Sequence, residues 1–167
     1  MLTPLPDAAR LWLFPLDASP AEAASVLDAV RGWLPSWQSH GRPVRAEATL
    51  LDGPTLAVGA VISPEEMNAG VSGCGIDAMR HAVDAAVRAA GGDQLSALQL
   101  RVRDAEGAWQ VVARPAFRRL AREGDVDADT PILDVTLETV GALRRDGLVR
   151  PAGVAWTGRV FGLAEAG

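Results

Sequence analysis

Lysine and tyrosine are missing from this chain altogether, cysteine occurs once and histidine twice. Without lysine there is no P-loop lysine, no Schiff-base lysine and no Ser–Lys dyad. A single cysteine forbids an internal disulfide, and with two histidines it is too little for a Cys/His zinc centre, so no metal is expected. No HExxH, CxxC or GxSxG string occurs, and nothing calls for a cofactor. No apolar run approaches the length that crosses a bilayer, and the first residues lack a signal peptide's basic-then-apolar order. The expectation is a cytoplasmic protein with no membrane partner. All 16 basic residues are arginine, against 21 acidic ones, and the net charge of −5 argues against a nucleic-acid partner.

What is present is 167 residues, 49% of them hydrophobic, enough for a single domain burying roughly 70% of its unfolded surface. Residues 1–9, with Pro4 and Pro6, read as a poorly ordered lead-in. Leu11–Leu16 is a short apolar run that suits a buried strand. Ser19-Pro20-Ala21-Glu22 is a helix start with a capping box, and Leu27, Val30, Leu34 and Trp37 continue one apolar stripe. Pro35 predicts a kink near Arg31, and His40-Gly41 reads as the helix end. Two strands follow, Val44–Leu51 and Thr55–Ile62, joined by the turn Asp52-Gly53-Pro54. Ser63–Val71 reads as a loop. A second helix opens at Ser72-Gly73-Cys74-Gly75-Ile76-Asp77 and stops at Gly91-Gly92. Leu98–Arg103 and Trp109–Ala113 then alternate as a hairpin.

This order predicts an α+β fold: a ferredoxin-like βαββαβ core over residues 10–113, carrying a C-terminal α/β extension over 114–167. The extension should hold a helix near Phe117–Glu123, a strand near Ile132–Leu137, a helix near Val140–Arg145 and a tail containing Trp156. The five tryptophans are dispersed and read as packing anchors. Arg114, Arg118 and Arg122 recur every four residues beside Arg119, either as a solvated face or as a surface for an anion or acidic partner.

Gly73-Cys74-Gly75-Ile76-Asp77-Ala78 formally fits GxGxxA, the dinucleotide fingerprint. That motif needs a strand ending at its first glycine, and here a loop intervenes. The same residues also make a capped helix N-terminus. At roughly 100° per residue, Ile76, Met79, Val83 and Val87 form the core stripe, which leaves Cys74, Asp77 and His81 on the opposite face. A thiolate at a helix N-terminus is stabilised there. Cys74 and His81 stand about 10 Å apart along the axis, too far for a direct hydrogen bond, whereas Asp77 and His81 are an i,i+4 pair. In a βαββαβ unit the first helix ends where the second begins. Topology therefore brings Trp37, His40 and Gly41 towards Ser72, Gly73 and Cys74.

Trp37-x-x-His40-Gly41, Ser72-Gly73-Cys74-x-Ile76-Asp77 with His81, and Trp156-x-x-Arg159 resemble the motifs of a family of small bacterial proteins, some carrying the label "ABC transporter ATPase". The resemblance runs from Leu11 to Phe161. It places Trp37, His40, Ser72, Gly73, Cys74, Asp77 and His81 at motif positions; the family commonly has serine where this chain has Gly75. It implies no reaction or cofactor, and without a Walker lysine it does not bring the ATPase label with it.

Two functions follow. One is a binding or interaction domain that takes a small anion or a protein partner at the Ser72–Cys74 helix N-terminus, with Trp37, Ser72, Gly73 and Gly75 as binding residues. The other is thiol chemistry, in an enzyme or a redox-responsive protein, with Cys74 as nucleophile and His40, Asp77 and His81 as catalytic candidates. A homodimer is compatible with either.

Overall fold

A strand with no polar face needs apolar cover on both sides, and one such strand organises the first half of the chain. The computed structural model describes residues 2–61 and 71–163. It contains, in chain order, β1 (Arg10–Asp17), α1 (Pro20–Trp33), a 3₁₀ turn (Leu34–Ser36), β2 (Gln38–Ser39), β3 (Arg42–Pro43), β4 (Arg45–Leu51), β5 (Thr55–Val61), α2 (Gly73–Ala90) and β6 (Asp93–Gln94). There follow β7 (Gln99–Arg103), β8 (Trp109–Ala113), α3 (Arg114–Glu123), β9 (Pro131–Leu133), α4 (Val140–Asp146), β10 (Val149–Pro151) and α5 (Trp156–Phe161). The fold mixes α and β with antiparallel sheets, and the chain forms two compact units: Met1–Gln94 with Leu137–Arg145, and Leu95–Thr136 with Asp146–Gly167. No helix among the described residues is long and apolar enough to cross a membrane.

The sheet of the first unit has the order β4-β5-β1-β6, every pairing antiparallel. β5 is buried at all its positions. Leu56, Val58 and Ala60 point to one face, where Phe14 and Leu16 of β1 join Val26 and Val30 of α1 and Met79, Val83 and Val87 of α2. Ala57 and Val61 point to the other face, where Leu11 meets Leu2, Leu5, Ala9, Leu137 and Val140. Two-sided burial explains why Leu11–Leu16 and Thr55–Val61 read as unbroken apolar runs rather than alternating ones.

The second cover is where the structure departs most from sequence expectation. Residues 2–9 are not a loose lead-in; Leu2, Leu5 and Ala9 are among the most buried side chains. Arg144 of α4 ties this segment down, donating to the carbonyls of Leu2 and Leu5 at 2.8 Å each and pairing with the Asp7 carboxylate. Backbone bonds from Val140 to Ala9 and from Leu11 to Glu138 close the same contact. Prolines 4 and 6 suggested disorder because no short-range pattern reveals a cover supplied by residues over 130 positions away.

Helix starts match the sequence signals. Ser19 and Glu22 form the reciprocal capping box, and the Ser19 backbone N–H, then its hydroxyl, hold the Glu22 carboxyl below its ordinary value. Gly91 caps α2 in the left-handed conformation. Asp52-Gly53-Pro54 is the expected turn between β4 and β5. The end of the first helix is corrected. α1 stops at Trp33, Pro35 lies in the 3₁₀ turn, and His40-Gly41 forms the two-residue loop of the β2–β3 hairpin. Both loop residues have positive φ, 52° and 73°, as the type I′ pattern requires. Residues 63–70 of the expected loop lie outside the described residues.

The expected fourth strand is also corrected. The short β6 pairs with β1, while Leu98–Arg103, observed as β7, joins the second unit's sheet, of order β10-β9-β7-β8. Only β7 to β8 is the hairpin foreseen. This sheet packs Leu100, Val102 and Ile132 on Phe117 of α3, with Ala152 and Ala155. The strand expected to reach Leu137 ends at Leu133, because the Asp134 carboxylate bends the chain by accepting from the Thr136 N–H at 3.1 Å and from its hydroxyl. Asp134 is 1% exposed and pairs with Arg150 at 2.7 Å. In the arginine stripe Arg118, Arg119 and Arg122 are exposed, while half-buried Arg114 lies 4.7 Å over the Trp156 ring and Arg118 5.7 Å over Phe161.

Replacing Arg144 with methionine leaves buried carbonyls unbonded and should cost about 1–3 kcal/mol. Denaturant melts measure the loss, and hydrogen exchange at the Leu5 and Ala9 amides should rise far more than exchange in α1. Equal acceleration everywhere would mean that Arg144 does not hold the N-terminal segment specifically.

Candidate functional site

The end of α1 and the start of α2 meet, as the topology predicts, through a small set of polar bonds. Trp37, after the 3₁₀ turn, is 1% exposed and wedged between Trp12 and Trp33, with ring centroids 6.0 and 5.6 Å away. Its indole Nε1–H donates to the Gly75 carbonyl at 2.9 Å. Two residues on, the buried Ser39 hydroxyl accepts from the Ser72 N–H at 3.0 Å and lies 2.9 Å from the Ser72 hydroxyl. The Ser72 hydroxyl in turn accepts from the Gly75 N–H at 3.2 Å and so caps α2. The β2–β3 hairpin presents Ser39 in this position because its tight loop turns the chain straight after it.

Gly75 is a matter of close approach. A Cβ there would lie 2.9 Å from a Val71 methyl and 3.3 Å from both the Ser39 Cβ and the Ser72 hydroxyl. The glycine lets the helix start press against Ser39; it is buried, with its carbonyl already taken by Trp37. Gly73 is different, since a Cβ there would meet nothing within 4 Å.

The sequence candidates therefore separate into two groups. Trp37 and Gly75 are buried, and with half-buried Ser72 they position the helix start. Gly73, Cys74, Asp77 and His81 are exposed along α2, opposite buried Met79, Val83 and Val87. His40 is exposed at the hairpin tip, and the Cys74 thiol is free. Among the described residues no ion pair joins Asp77 to His81, and no hydrogen bond joins Cys74 to His40. Nor do any three His, Cys, Asp or Glu side chains there group to hold a metal ion. The residue that sequence reasoning missed is Ser39, whose only local signal is its place before the His-Gly loop.

Chemically, the arrangement is a fixed helix N-terminus. The capping serine satisfies the Gly75 N–H, and Ile76 bonds back to the Ser72 carbonyl at 2.9 Å. The N–H groups of Gly73 and Cys74, the first two of the helix, have no place in the helical ladder and lie on exposed residues. Compared with protein-family models, curated proteins and solved structures, the chain matches none of them.

Gly75→Ala should destabilise the protein by about 1–3 kcal/mol through overpacking against Val71, Ser39 and Ser72. Trp37→Phe keeps the ring packing but leaves the buried Gly75 carbonyl unbonded, a comparable loss. Chemical denaturation of both variants measures this; a neutral Gly75→Ala would mean the contact at Ser39 is slack.

Proposed function

We propose that this protein is a cytoplasmic binding or interaction module, using the start of α2 to hold a small anion or an acidic group on a protein partner. One observation supports this most: Trp37 and Ser39 bond to the helix start, while the Gly73 and Cys74 amides fall outside the helical ladder on exposed residues. An anion there gains two backbone donors and the positive end of an 18-residue helix dipole without reorganising the site. The first unit is read here as a ferredoxin-like βαββαβ unit whose fourth strand is reduced to β6; the order β4-β5-β1-β6 supports that reading. The family resemblance of the Trp37–Gly41 and Ser72–His81 motifs is part of the proposal, since both meet at this site.

Titration with inorganic phosphate, followed by amide NMR, tests the reading. Saturable shifts are expected at Gly73 and Cys74. They should weaken in Gly73→Pro, which deletes one donor at a position where helices tolerate proline, and survive in Cys74→Ala. Absence of any saturable shift at these two amides would remove the binding reading.

The exposed thiol supports the second reading, with Cys74 as a nucleophile at a helix N-terminus. Its test is the pH dependence of Cys74 alkylation. Thiol chemistry requires an apparent pKa well below the free value of about 8.5, and slower reaction near neutral pH in His40→Ala. A rate following the free-thiol value, unchanged in His40→Ala, would leave only the binding module.

A further inference from the structure

The second unit contains a cleft of about 420 Å³ that the sequence did not announce, well within the roughly 300–1,000 Å³ typical of small-molecule sites. Its apolar lining comes from several elements of the unit: Val102 of β7, Val112 of β8, Leu120 of α3, and Val126 and Pro131 ahead of and within β9. Val102 and Val126 belong to the buried core, so the cleft reaches into it from outside.

Acidic groups outnumber basic ones around this cleft. Asp104 and Asp125 both border it. Asp104 is held in place, accepting from the Ala108 N–H at 2.7 Å and the Gln110 side-chain amide at 2.8 Å. Those bonds, the Gln110 amide's first, keep its carboxyl below the usual range and therefore ionised at neutral pH. Asp125 is exposed, and no ion pair among the described residues engages either carboxylate. One cation, Arg103, also borders the cleft, and its Nε is buried without a hydrogen-bond partner among the described residues. The ladder pairs it with Trp109, on the ribbon face opposite Val102, Gln110 and Val112, and its guanidinium lies 4.7 Å over the Trp109 ring.

We infer that this cleft binds a small organic cation: a primary amine or similar ammonium group carried on one ring or a short alkyl chain. The apolar walls remove the body of such a ligand from water, and the carboxylates of Asp104 and Asp125 take its charge at the mouth. A carboxylate or phosphate ligand of the same shape meets two carboxylates, against one guanidinium that lies over the Trp109 ring. A neutral ligand of that shape leaves the carboxylates unused. This site goes beyond the anion site at α2 and is independent of it, with opposite charge preference and in the other compact unit.

Three probes of one shape and different charge decide the matter: benzylammonium, benzyl alcohol and phenylacetate, each titrated into the full chain and followed by amide NMR. Benzylammonium should give saturable shifts at Val102, Val112, Leu120 and Val126, with phenylacetate weaker by about tenfold or more. Asp125→Asn should weaken benzylammonium by about three- to tenfold and leave benzyl alcohol unchanged. Leu120→Trp, which fills the cleft, should abolish the shifts; circular dichroism checks that it folds, and Asp125→Asn, a surface change, decides if it does not. Equal binding of the three probes, or benzylammonium binding indifferent to Asp125→Asn, would overturn the inference. So would the absence of saturable shifts with benzylammonium.

Discussion

The burial of β5 on both faces is the constraint from which the first unit follows. A fully apolar central strand must be covered twice, and its two covers come from different parts of the chain. Helices α1 and α2 lie over Leu56, Val58 and Ala60; the N-terminal segment and Leu137–Arg145 lie over Ala57 and Val61. With either cover missing, a row of apolar side chains would face water at about 25 cal/mol per Å² exposed. The Arg144 bonds to Leu2 and Leu5 settle where the second cover sits, but the apolar burial beneath them is the reason that it sits at all.

The same packing places the candidate site. Helices α1 and α2 share one sheet face, so the chain leaving α1 must pass the start of α2. Two local features convert that neighbourhood into a fixed geometry. Trp37, trapped between Trp12 and Trp33, directs its one polar atom at Gly75, and the hairpin loop His40-Gly41 leaves Ser39 facing Ser72. The start of α2 at exposed Gly73 and Cys74 is positioned by side chains that are themselves buried, Trp37 and Ser39.

The second unit follows a different logic. It is smaller, its strands are short, and polar groups take a larger share in shaping it. Asp134, buried against Arg150, ends β9 by capturing Thr136, and arginines of α3 lie over the rings of α5. Truncating one partner of a buried ion pair leaves a charge without compensation, whereas the pair itself adds little over apolar packing. Such pairs specify geometry more than they stabilise it.

Much of the fold was legible because it is written at short range. The capping box at Ser19–Glu22, the glycine stop at Gly91, the turn at Asp52–Pro54 and the stripe of α2 all depend on residues within a few positions of one another. The candidate site was legible to the extent that topology alone brings two helix ends together, which located Trp37 and Ser72–Cys74 but not Ser39. The partners of Leu5, of Asp134 and of Arg114 were not legible, nor was the pairing of β7 with β9. Each is a choice among surfaces of similar local character, and a two-residue strand at β6 can displace an apolar strand such as β7 from the first sheet. The sequence by itself determined the main helices, the long strands and which of their faces are apolar, because period and caps act locally. Which apolar face meets which, and so where a cleft or an open helix end is left, was decided only in three dimensions, where covering both sides of β5 outweighs any local preference.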